Sequence, residues 1–157
     1  MIAELEAAPR TGIVGASIAY HHDPGRLWAF GGGRFDVATG WVRHVQQPVE
    51  PTALATHGTR HFYVTGCAML LRRTVIEEIG SLSTEYFHFC EDVDLCLKAQ
   101  RAGWRVAVAP AARLTHTGDS VGSPAYMSPE QGLGEEVDAI RDQIDVDRNR
   151  APETSDE

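Results

Sequence analysis

Residues 12–20, "GIVGASIAY", hold no charge and mix small with β-branched side chains, the pattern of a strand buried on both faces. "HHDPGR" at 21–26 supplies a turn through Asp-Pro-Gly. "LWAFGGGRFDVATGW" then reads as a short hairpin or irregular loop, and residues 46–60, rich in Pro, Thr, Gln and His, as a surface connection. A second apolar strand is predicted over 61–73, "HFYVTGCAMLLRR", interrupted at Gly66 by a bulge or by something close to the backbone. "TVIEEIG" predicts a brief helix, with Thr74 and Glu77 spaced as a capping box and Gly80 as its stop.

The clearest helical period runs from Glu91 to Ala102. Val93, Cys96 and Leu97 recur on one side, with Leu95, Ala99 and Ala102 beside them. Asp94 precedes Lys98 by four residues, the favourable order for a pair on a helix, and Gly103 closes the last turn. "WRVAVAP" at 104–110 alternates as a strand, and "ARLTH" at 112–116 reads as a short extension. Beyond Ser128 only Val137, Ile140 and Ile144 suggest an amphipathic helix, and an acidic end segment is expected to be disordered. The 157 residues suit one domain, taken as 1–128 with a tail at 129–157.

Charge changes this picture little. The net −8 is concentrated in the tail, where ten acids face three arginines from Glu130 onward. The remainder is close to neutral and offers no basic stripe, so nucleic acid is not an expected partner. The longest tight apolar cluster, "CAMLL" at 67–71, is far too short for a membrane span. The first ten residues show neither a basic leader nor an apolar signal core, so a cytoplasmic protein is expected, with the inner membrane face left open as its station. Three cysteines without a CxxC spacing read as reduced thiols. A zinc site from His88, Cys90, Cys96 and His116 is the rival reading, though its spacing matches no common template. Gly31–Gly33 lacks the lysine of a phosphate loop and is read as loop geometry.

The chemistry is crowded into "FHFCEDVDLC" at 87–96. An acidic helix start is itself favoured by the helix dipole. Asp92 and Asp94 imitate a metal-binding Asp-x-Asp, but on a helix they point about 200° apart and cannot share an ion. Asp94 is left to Lys98, and Glu91 and Asp92 face the end of the sheet.

The order of these segments resembles the C-terminal half of the family 2 glycosyltransferases, which have the GT-A fold. "VTGCAMLLRRTVIEEIG" at 64–80 is similar to the strand and helix shaping the family's acceptor side. "EYFHFCEDVDLCLKAQRAGWRVAVAP" at 85–110 resembles its Glu-Asp segment and the strand that follows, and "ARLTHTGDSVGS" at 112–123 its histidine- and serine-bearing segment. The likeness covers roughly 11–123. It implies an α/β fold, a partial GT-A-like mixed sheet with flanking helices, whose N-terminal nucleotide-binding half is missing. It further implies an inverting transfer of sugar from a nucleotide-sugar donor to a glycan or lipid-linked acceptor. In that scheme Asp92 is the base, Glu91 positions acceptor or base, Gly66 and Cys67 line the acceptor side through their backbone, and His116 helps to ligate a divalent cation, Mn²⁺ or Mg²⁺. Trp104 is assigned to packing, and Phe87 and Phe89 to the core before a sugar platform. Ser83 departs from the family's aspartate. A donor half encoded separately is an expected partner, because half a sheet exposes an edge and a face. The alternative is a non-catalytic glycan-binding or regulatory remnant of the same fold.

Overall fold

The computed structural model describes residues 1–86 and 90–117. The readings placed on Phe87, His88 and Phe89, on the serine at 123, and on the helix and tail beyond Ser128 lie outside the described residues.

The fold is a mixed α/β sheet with helices packed against it. Strand β1 (Thr11–Tyr20) is central, and it is buried from Thr11 to Ala19, as its uncharged run requires. Strand β7 (Arg105–His116) runs parallel to it along one edge. The other edge is shared by two antiparallel strands, β6 (Met69–Leu71) opposite Ile13–Gly15 and β2 (Leu27–Phe30) opposite Ser17–Ala19. The sheet continues through β3 (Gly32–Asp36), which pairs with both β4 (Val42–His44) and β5 (Arg60–Val64).

The three glycines are explained by this crowding. Gly31 turns the chain in the left-handed region, at φ 76°. A Cβ on Gly32 would lie 1.9 Å from the Tyr63 carbonyl oxygen, and one on Gly33 2.5 Å from that of Arg43. These residues are therefore strand, tightly flanked on both sides, with the turn confined to Gly31.

Residues 61–73 are not one strand. After β5 the chain makes a 3-10 turn at Gly66–Ala68 and re-enters the sheet as β6, beside a different partner. Helix α2 (Arg73–Ile79) begins two residues earlier than the capping box requires, and no side chain caps it. Arg72 at its N-cap instead sends its guanidinium across to helix α1 (Ile2–Ala7), where it donates to the carbonyls of Leu5 and Ala8 and, nearby, to Thr11 at 2.9 Å. Gly80 stops α2 as expected, at φ 84°, its N–H on Ile76.

Helix α3 (Glu91–Arg101) packs against β5 and β7, burying Val93, Leu95, Cys96, Leu97 and Ala99. Lys98 Nζ meets Asp94 Oδ2 at 2.8 Å, and Gly103 turns out of the helix at φ 81°. Strand β7 continues through Pro110 to His116. Its register with β1 jumps from Ala16–Ala109 to Ser17–Arg113, so Pro110–Ala112 bulge out where proline has no N–H for the ladder. Trp104 packs against the core, its indole N–H donating to Glu78 at 2.8 Å.

Candidate functional site

The site is built where the 3-10 turn after β5 meets the start of α3. Asp92 Oδ2 accepts from the Gly66 N–H at 2.8 Å, and Oδ1 accepts from the Val93 N–H at 2.8 Å. The contact is possible because Thr65 caps the turn, its hydroxyl accepting from Cys67, which leaves the Gly66 N–H to face the helix. Sequence spacing of 26 residues concealed this pairing. Gly66 is therefore no bulge; its N–H is a fixed donor to the carboxylate.

Electrostatics set Asp92 apart from a surface acid. Burial pushes its pKa above the ordinary 3.8, the Gly66 N–H opposes that, and the Glu91 charge pushes it up again. Glu91 itself buries Oε2 without a hydrogen-bond partner among the described residues. Cys90, which precedes the helix, holds a left-handed φ of 67°, uncommon for a residue with a side chain. Cys67 is exposed beside Gly66.

Tyr63 joins the site from β5, which the sequence reading missed. Its pKa is raised by burial and then by the nearby Asp92 and the thiols of Cys90, Cys96 and Cys67. From Tyr63 a row of rings leads across the sheet. Tyr63 and His44 stand at opposite sides of Gly33, centroids 6.5 Å apart, His44 meets Trp28 edge-on at 4.2 Å, and Trp28 stacks on His116 at 4.3 Å. His116 is thus outside the Asp92–Gly66 contact and is connected to it through three intervening rings. Burial lowers the His44 pKa, with the His116 charge adding to the effect.

The rival zinc set does not assemble around Cys96. That thiol is buried in the core, its Sγ accepting from the Val64 N–H at 3.3 Å, and burial pushes its pKa up to about 12. Among the described residues no cluster of three His, Cys, Asp or Glu side chains could hold a metal ion. His116 would supply one ligand at most to the divalent cation that the resemblance implies, so the described residues do not build that centre. A cleft of about 400 Å³ opens elsewhere, at the C-terminal end of α3, lined by Leu54, Thr56, Gln100, Trp104 and Val106 among others. It contains none of the candidate residues. Among the described residues no helix is long and apolar enough to cross a membrane.

A mixed sheet with an acidic helix start beside a backbone donor defines a site that can hold a hydroxyl and take its proton. The family described as "Glycosyltransferase like family 2" matches residues 7–130, and the chain belongs to it. The chain is also similar, at 33% identity over 54 residues, to the N-acetylglucosaminyl-diphospho-decaprenol L-rhamnosyltransferase of Mycobacterium tuberculosis (strain CDC 1551 / Oshkosh), covering 34% of this chain and 18% of that one. It is 35% identical over 54 residues to the rhamnosyltransferase WbbL of Escherichia coli (strain K12), covering 34% and 20%. The match thus spans about a fifth of the length of these curated relatives.

Proposed function

We propose that this chain forms the acceptor side of an inverting glycosyltransferase, with Asp92 as the base. The observation that carries the reading is the half-buried Asp92 carboxylate fixed by the Gly66 N–H at 2.8 Å. Each carboxylate oxygen accepts one backbone hydrogen bond and keeps a further lone pair for a substrate hydroxyl. As that hydroxyl oxygen attacks the anomeric carbon, its proton passes to Asp92 and the bond from the sugar to the nucleoside diphosphate breaks. A carboxylate with a raised pKa is the stronger base, and general-base assistance of this kind contributes about 10²–10⁴-fold. Glu91 keeps that basicity high through its charge, and the exposed turn at Gly66–Cys67 borders the space where the acceptor docks.

The donor is a nucleotide-activated sugar, and rhamnose is the first to test because both relatives carry it in their names. A lipid-diphosphate acceptor follows from the same comparison. The nucleotide-binding half is proposed to be a separate segment or chain. It would dock on the outer edge of β6, which pairs only with β1 among the described strands. The test is product formation from a panel of nucleoside-diphosphate sugars and polyprenyl-diphosphate-linked acceptors, with and without a donor-binding half. Acceptor-dependent release of nucleoside diphosphate supports the reading. Acceptor binding with no turnover under any pairing assigns the chain to a glycan-binding role and removes the enzyme.

A further inference from the structure

Four rings from four strands meet in one row, and one of them has no face left for a ligand. Trp28 is only 8% exposed. His116 lies flat on the indole, 4.3 Å between centroids and 5° from parallel, and His44 presses against it at 4.2 Å and 61°. Ile18 and Ala29, both fully buried, complete the packing with Tyr20 and Leu114. An indole so enclosed cannot serve as a sugar platform. It can fix the plane of the imidazole stacked upon it, because turning that ring out of parallel would forfeit the stack.

The sequence builds this arrangement from both sides. His116 ends β7 beside Tyr20, the last residue of β1, at the C-terminal end of the parallel pair, where α/β sheets receive their ligands. His44 stands across glycine-lined β3 from Tyr63, opposite Gly33, so no side chain on Gly33 separates the two rings. The row therefore runs from His116 to Tyr63 on β5, the strand that leads into the Gly66 turn and its contact with Asp92.

We propose that Trp28, backed by His44, is the positioning residue for His116, holding its imidazole in one orientation at the C-terminal end of the β1–β7 pair. The orientation rests on the ring geometry alone; its use in transfer rests on the proposed function. A misplacement of about 1 Å in such a group costs about 10²-fold in rate.

The test uses this protein with isotope-labelled histidine. Ring currents of the indole should displace the His116 C–H resonances upfield, with His116→Ala giving the assignment. Trp28→Leu should erase the displacement, and Trp28→Phe, with its smaller ring, should retain part of it. If the leucine variant fails to fold, the graded loss in the phenylalanine variant decides the question. An unchanged His116 resonance in either folded variant overturns the proposal. In the transfer assay Trp28→Leu and His116→Ala should each lower kcat more than they raise KM, and the double variant should be no worse than His116→Ala alone. Additive losses overturn the positioning role. An unsubstituted protein without transfer under any pairing with a donor-binding half refutes the functional reading, and the imidazole resonances then decide the positioning claim by themselves.

Discussion

Proline at position 66 removes one atom pair from the site and little else. The Gly66 N–H is the donor to Asp92 Oδ2, and proline has none. The backbone tolerates the change. Thr65 is extended at φ −69° and ψ 142°, as a residue before proline must be, and position 66 opens a 3-10 turn, where a fixed φ near −65° fits. The proline ring takes the place of the N–H and leaves the half-buried Asp92 carboxylate without that donor. A hydrogen bond to a charged group contributes about 1.5–3 kcal/mol. The stiffer unfolded chain returns about 0.4–1 kcal/mol. The net loss at neutral pH is therefore about 1–2 kcal/mol.

Its pH dependence identifies the cause. Asp92 already holds its proton above the ordinary 3.8 because burial outweighs the Gly66 hydrogen bond, which pulls the other way. Removing that bond raises the folded pKa further. A carboxyl with a raised folded pKa loses stability as pH rises above its unfolded value, so the variant's deficit should be small near pH 3 and grow to its full size by pH 7. Urea denaturation across that range measures the deficit, and carboxyl-carbon NMR follows Asp92 directly. Gly66→Ala is the control, since it keeps the N–H and its Cβ would stand 3.9 Å from Asp92. An Asp92 pKa that is unchanged or lowered in the proline variant, or a deficit independent of pH, refutes this reasoning.

Further consequences follow from the same geometry. Gly32→Ala should destabilise the fold by at least about 1–3 kcal/mol in chemical denaturation, because its Cβ would lie 1.9 Å from the Tyr63 carbonyl oxygen, a backbone atom that cannot step aside. Cys67, exposed, should react with a thiol reagent in the native protein, whereas Cys96, buried with its pKa pushed to about 12, should be labelled only after unfolding, as peptide mapping by mass spectrometry will read. His44 has a lowered pKa, so the stability it permits is present above pH 6.5 and falls as acidification protonates the unfolded chain first. His44→Phe should flatten that part of the stability profile measured by thermal melting between pH 7 and 5.

Much of the fold is written locally. The uncharged run of β1 admits no exposed face, and α3 declares itself by spacing, by the Asp94–Lys98 pair and by Gly103. What could not be read is what depends on partners distant in the chain. Residues 61–73 have one composition but two neighbours, β3 for the first part and β1 for the last, and no local property divides them. Thr74 and Glu77 match a capping box, yet Arg72 binds α1 instead, a tertiary contact that outweighs the local motif. Pro110 breaks the strand pattern on paper, while the sheet absorbs it as a bulge. At the site, the acidic pair at 91–92 was visible as a cluster. Its donor at Gly66 and the row from Tyr63 to His116 arise only when separate strands align. Trp28 and His44 carry no motif, and reading residues 27–41 as a short hairpin or irregular loop gave Trp28 no partner.

The most direct test is transfer by the Asp92→Asn protein under conditions where the unsubstituted protein forms product. Asparagine keeps the size and one acceptor oxygen but cannot hold the proton of the attacking hydroxyl. The expected result is a fall in turnover of about 10²–10⁴-fold with the fold intact by NMR. Turnover retained at the unsubstituted rate would contradict the assignment of Asp92 as the base.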